Sequence, residues 1–181
     1  MARVPFLDAE DLPDHAELVE RIRGQRRGNL INVYRTLLHS PPLAESWFEH
    51  INRVRWGTEI SGRLREIVII RLGHLVKSAY VLRQHVPKLA EAEGMTREEC
   101  DALADWRNSA LFDASEKAVL GYVDAMARDI VVPDAVFAPL KEHFSDRQVV
   151  EITLMVGAYI SHSRVLQALE VDLEPDETAG V

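Results

Sequence analysis

The chain is nearly devoid of cysteine. Cys100 stands alone among 181 residues, so neither an internal disulfide nor a cysteine metal cluster can form. A reducing compartment is the simplest home, and the expected location is cytoplasmic. The opening segment MARVPFLDAEDLPDH has no long apolar stretch, which argues against a secretory signal. The longest apolar runs are interrupted by Arg71, His74, Lys77 or Glu151, well short of the roughly 20 residues that span a bilayer. No block of basic residues interleaved with aromatics occurs. With 21 basic and 29 acidic residues the net charge is −8, which argues against a nucleic-acid or anionic-membrane partner. A GxSxG elbow, a P-loop, a dinucleotide fingerprint and an HExxH motif are all missing.

What is present reads as one domain over residues 1–181. Hydrophobic residues make up 47% and charged residues 28%, enough for a sizeable core. Residues 1–14 read as an extended arm, followed by a helix from about Leu12. The acidic segment 172–181 reads as a frayed tail. Between them the pattern is helical throughout: a short helix in 29–38, another from Pro41 or Pro42 through Val54, and a long block over 61–93. Ser61 is its candidate cap, Gly73 a break or a point of close packing, and Gly94 its stop. Capping signals at Thr96 with Glu99, Asp113 with Glu116, and Ser145 with Gln148 open three more helices, over 97–106, 114–128 and 146–169. Pro133 opens a short one ending near His143. The strand-like runs IVIIRL and DIVVPD are short and lie in helical surroundings, so the expected fold class is all-α.

Within RLREIVIIRLGHLVKSAYVLRQHV an unusual polar set, Glu66, His74, Ser78, Tyr80 and His85, sits among apolar neighbours. Helix interiors seldom keep polar groups that have no partner. The set would either line a small-molecule site or form a buried structural network. In a continuous helix His74, Ser78, Val81 and His85 follow steps of four, three and four and share one face. A break just before His74 would leave that grouping intact. Histidine moves protons near neutral pH, and a neighbouring glutamate orients the ring. Ser78 and Tyr80 are candidate donors to an oxyanion, while Arg71 is a candidate partner for Glu66 or for a substrate carboxylate. His162, in GAYISHSRVL, is a second polar cluster on an apolar helix. A shared metal is disfavoured, because eleven residues separate His74 from His85, roughly 16 Å along a straight helix. No metal and no cofactor is expected. Cys100, among Glu98, Glu99 and Asp101, is expected to be inert.

Residues 63–94 resemble the carboxymuconolactone decarboxylase and alkylhydroperoxidase D (AhpD-like) superfamily. Its redox members carry Glu, eleven residues, Cys-x-x-Cys, three residues, His. Here those positions are Glu66, Ser78, Val81 and His85, so the spacing is kept and both cysteines are replaced. Relatives of the decarboxylase type have a tyrosine five residues before the histidine, here Tyr80, and often a tryptophan where this chain has Leu82. GMTREE and SEKAVLGYVD also fit the family layout. The resemblance implies an AhpD-like helical bundle that assembles as a trimer or hexamer, with its site near a subunit contact. It implies the non-redox branch, since the disulfide-forming pair that peroxidase chemistry needs is missing. The implied activity is cofactor-independent decarboxylation or isomerisation of a small lactone or cyclic carboxylic acid. His85, Glu66, Tyr80 and Ser78 would be catalytic, with Arg71, His74 and His162 on the substrate side. The alternatives are a non-catalytic oligomeric scaffold and a small-molecule binding protein.

Overall fold

The computed structural model of the protein describes residues 1–86, 88–129, 131–175 and 180. Among the described residues ten α-helices follow one another: α1 (Ala16–Gly24), α2 (Asn32–Leu37), α3 (Pro41–Trp56), α4 (Gly62–Leu75), α5 (Ala79–His85), α6 (Lys88–Ala92), α7 (Arg97–Ala102), α8 (Ala114–Arg128), α9 (Asp134–His143) and α10 (Asp146–Ala168). Short 3-10 turns occupy Ala9–Asp11, Pro13–His15 and Leu103–Asn108. No strand occurs among the described residues, and IVIIRL lies wholly inside α4. The fold is an all-α bundle.

Helix starts follow local chemistry. Ser61 accepts the Leu64 N–H at 3.1 Å and opens α4. Thr96 with Glu99, Asp113 with Glu116 and Ser145 with Gln148 form reciprocal capping boxes on α7, α8 and α10. Each box satisfies backbone donors that have no intrahelical partner. Two starts differ from expectation. The segment after Leu12 makes a 3-10 turn before α1 begins at Ala16, and Pro133 is the N-cap of α9 rather than part of its first turn.

Helix α4 is the axis of the molecule. Every residue from Leu64 to Gly73 is buried. Ile67 and Ile70 face a small core with Leu103, Trp106, Phe112 and Leu120. Val68, Ile69 and Leu72 face the main core with Ile152, Met155 and Val156 of α10. A helix buried on all sides must pair its charges, and Arg65, Glu66 and Arg71 all have partners. Helix α10 is long and apolar enough to cross a bilayer by composition, yet Val149, Ile152, Met155, Val156, Tyr159 and Leu166 are core residues of the bundle.

The end of the chain corrects the expectation of a frayed tail. Val171 and Glu174 are buried. The Glu174 carboxylate accepts from the Asn32 N–H at 2.8 Å and from the Tyr80 hydroxyl and Gln84 amide. Gly180 N–H donates to Gln84 Oε1 at 2.8 Å. A carboxylate with this many donors holds the segment down despite its acidic composition. Residues 176–179 and 181 lie outside the described set. The N-terminal arm packs on the same end, with Arg3 N–H donating to the Leu169 carbonyl at 2.9 Å and Ala2 N–H to Asp172 at 3.0 Å.

Candidate active site

The break between α4 and α5 decides which polar residues meet. It falls at residues 76–78, after His74 and ending on Ser78, the N-cap of α5. Lys77 takes a left-handed conformation (φ 54°). Its N–H bonds the His74 carbonyl at 3.3 Å, and Ser78 N–H bonds the Gly73 carbonyl at 2.9 Å. This is a Schellman closure with lysine in the place that glycine usually takes. Gly73 therefore does not break the helix. It is a contact point: a Cβ there would lie 2.8 Å from Leu82 Cδ2. Because the chain reverses between them, His74 and His85 do not share a face.

Helix α5 ends at His85, and its Nδ1 lies 2.6 Å from Glu66 Oε2. The other Glu66 oxygen takes the Arg65 Nε–H at 3.1 Å. Glu66 is fully buried. Burial opposes its charge, but His85, its hydrogen bond, Arg55 and Arg65 outweigh that and bring its pKa down to about 2. Burial also lowers the His85 pKa, reinforced by Arg55 and Arg65 and only partly opposed by Glu66. At neutral pH the pair is a carboxylate and a neutral imidazole. The carboxylate fixes the proton on Nδ1 and leaves Nε2 as a lone pair. Nε2 has no hydrogen-bond partner among the described residues.

His85 forms part of the wall of a cavity, together with Tyr159 and His162 of α10, Tyr80, Val81 and Gln84 of α5, Arg55 of α3, and Arg26. The cavity has a volume of about 40 Å³. Tyr159 meets the His85 ring edge-on, 5.8 Å between centroids, and the His162 ring at 5.7 Å. The Trp47 Nε1–H donates to His162 Nδ1 at 3.2 Å, so the neutral His162 ring carries its proton on Nε2. Burial, followed by the charges of His85, Arg55 and Arg26, pushes its pKa down to about 3. His85 and His162 thus present opposite polarities, a lone pair on one Nε2 and an N–H on the other. Burial raises the Tyr159 hydroxyl to about 12, so it stays protonated.

Of the expected residues, the fold brings His85, Tyr80 and His162 to this cavity with Glu66 directly behind His85. Three others are elsewhere. Arg71 is buried against Asp124, Nε to Oδ1 at 2.7 Å, and donates to the Leu103 and Ala104 carbonyls at 2.8 Å each. It ties α4 to α8 and is not open to a substrate. His74 Nε2 donates to the Cys100 carbonyl at 3.2 Å on the other side of α4. Ser78 is the N-cap of α5, its hydroxyl accepting the Val81 N–H at 3.3 Å. Tyr80 reaches the cavity wall, but its hydroxyl donates to Glu174 and accepts the Val33 N–H at 3.3 Å. Cys100 is buried in the smaller core. Burial, Asp101 and Glu99 raise its thiol pKa. Arg26, Arg55 and Tyr159 were missed. The usable signal was an arginine on an apolar helix face, since Arg55 follows Phe48 and Ile51 at helical spacing in α3.

Comparison with known proteins places this geometry. The description of the carboxymuconolactone decarboxylase family matches residues 41–125. An uncharacterized Escherichia coli protein, YnjA, is 28% identical over 109 residues, 60% of this chain, and the match spans 59% of the relative's length. An uncharacterized peroxidase-related protein from Silicibacter superposes with a TM-score of 0.84 at 20% identity, over 99% of this chain and 94% of the other. The debrominase Bmp8, solved with 2,3,4-tribromopyrrole, superposes with a TM-score of 0.78 at 20% identity, over 98% and 94%. At those identities the two structures speak for the fold alone. Over α3 to α8 the chain is similar to the carboxymuconolactone decarboxylase family, and it shares the helical fold of these solved structures.

Proposed function

We propose that this protein is a cofactor-independent enzyme that decarboxylates or isomerises a small lactone or cyclic carboxylic acid, with His85 moving the proton and Glu66 holding His85 in place. One observation carries the reading. His85 is bonded through Nδ1 to a buried carboxylate and keeps Nε2 free at a cavity wall. A histidine retained only for packing would have both nitrogens in protein contacts.

In an isomerisation, neutral His85 takes a proton from the carbon beside the carbonyl and returns it at the far end of the enolate. In a decarboxylation, carbon dioxide leaves and its electron pair passes into the conjugated lactone carbonyl. His85, which takes up a proton from solvent on Nε2 when the anionic substrate is bound, delivers that proton to carbon and returns to its neutral form, so one proton is consumed per carbon dioxide released. The Nε2–H of His162 and the Tyr159 hydroxyl are the donors available to the developing oxyanion. They replace Ser78 and Tyr80 in that role, because those two hydroxyls are engaged with Val81 N–H and Glu174.

The small cavity favours a second reading, a binding protein without turnover. Ultraviolet-followed turnover of carboxymuconolactone, with carbon dioxide quantified, separates the two. Loss in His85→Ala supports the first reading, and no reaction by the folded native protein rejects that substrate. Self-association into a trimer or hexamer and a cytoplasmic location belong to the same proposal. Exposed Val150 and Leu154, one turn apart on α10, support the former.

A further inference from the structure

Two arginines, Arg26 and Arg55, line the His85 cavity, and a third, Arg65, lies behind it on Glu66; among the described residues Arg65 alone of the three has a carboxylate partner. Arg65 pairs with Glu66 at 3.1 Å and with Glu93 at 2.5 Å. Arg55 is 7% exposed. Its guanidinium makes no hydrogen bond and no ion pair among the described residues, and its Nε is buried without an acceptor. The ring of Trp56, 4.4 Å from Cζ, is what lies against it. Arg26 is 2% exposed and held by neutral groups: the Gln25 carbonyl at 2.9 Å, the Tyr34 hydroxyl at 3.0 Å and Asn52 Oδ1 at 3.0 Å. Both arginines line the cavity, and none of the described lining residues is acidic.

Buried cations without anions are expensive. In a chain with 29 acidic residues, leaving two of them unpaired beside one cavity calls for a ligand. The buried carboxylate behind His85, Glu66, is already engaged by Arg65 and His85. A guanidinium presents a planar fork of N–H donors that matches a carboxylate. The cavity volume, about 40 Å³, suits such a head group. It falls below the roughly 150 Å³ of a cavity that encloses a benzene ring.

We propose that Arg55, flanked by Arg26, is the anion-holding subsite of this cavity, and that its ligand is a small carboxylate seated on the Arg55 guanidinium. Formate and acetate fit the cavity as it stands, and a ring acid enters only as the rim parts. The link to turnover rests on the proposed function, whereas the binding does not. A bound anion also offsets the two arginines, which makes His85 easier to protonate beside the carbon that needs the proton.

The test is titration of the full-length protein with sodium formate, sodium acetate and sodium benzoate, at ionic strength held constant with chloride. The proton–nitrogen signal of Arg55 Nε in the native protein is expected to move saturably with formate, and formate is expected to raise the thermal midpoint. Affinity is expected to fall at least tenfold in Arg55→Gln and less in Arg55→Lys. An Arg55 signal and a midpoint that respond to formate and acetate no more than to chloride overturn the proposal, as does equal affinity in native and folded Arg55→Gln. If Arg55→Gln does not fold, the native Arg55 signal decides. Binding without turnover of carboxymuconolactone rejects that substrate and keeps the subsite. Turnover without a response at Arg55 does the reverse.

Discussion

His85 and Glu66 are nineteen residues apart in sequence and 2.6 Å apart in space. The reversal at Lys77 folds α5 back on α4 and creates the contact. Its consequence is chemical. A buried carboxylate held ionised at neutral pH fixes the imidazole proton on Nδ1 and aims the unprotonated Nε2 outward.

Glu66→Gln tests that consequence. A glutamine can still accept from Nδ1–H but supplies no charge. The nitrogen-15 spectrum of the His85 ring at neutral pH is expected to change from one tautomer to a mixture. Turnover is expected to fall about 10- to 100-fold, within the span of positioned acid–base effects. An unchanged tautomer and rate would show that Glu66 is only a packing residue.

Stability should decline on the acid side in two stages. His162 titrates at about 3 in the folded protein against 6.5 in its ordinary state, and His85 is shifted in the same direction. Below pH 6.5 the unfolded chain therefore binds more protons than the native one, and stability falls with pH. Glu66, at about 2 against 4.5, adds a further loss between those values. Denaturant titrations from pH 7 to 4 are expected to show proton uptake on unfolding, smaller by about one proton in His162→Gln. An identical pH slope in the variant would contradict the burial of a neutral His162.

Arg71 is expected to matter for stability and not for catalysis. Asp124→Ala leaves its guanidinium buried and unpaired and is expected to destabilise by about 3–5 kcal/mol. Turnover per folded molecule should be unchanged, as should KM. A raised KM at unaltered stability would return Arg71 to the substrate.

Lys77→Gly relieves a left-handed residue at φ 54°. Glycine adopts that conformation freely, although it costs more entropy to order. The net expected gain is on the order of 0.5–1 kcal/mol in chemical denaturation, with the Glu66–His85 contact retained. A loss of stability would mean that Lys77 holds the turn by its side chain.

The readable parts of the chain were the local ones. Capping boxes at Thr96, Asp113 and Ser145 place partners three residues apart, so the sequence displays them directly. The all-α class followed from helical spacing, and the Glu66 and His85 positions from a motif whose spacing survives without its cysteines. The turn at Lys77 was hidden because glycine is the usual mark of such a closure and Gly73 drew attention instead. Arg71 was misplaced because its partner, Asp124, is 53 residues away. Glu174 was unreadable for the same reason, lying 142 residues from Asn32. Arg26 and Arg55 went unnoticed because a chain with many arginines gives no local sign of which ones lack a carboxylate.

The most direct test is the rate of carbon dioxide release from carboxymuconolactone by native protein, His85→Ala and Asp124→Ala, each normalised to folded protein. Release by the native protein, a fall of at least 100-fold in His85→Ala and a normal rate in Asp124→Ala are the expected results. Equal rates in native and His85→Ala would contradict the assignment of proton transfer to His85.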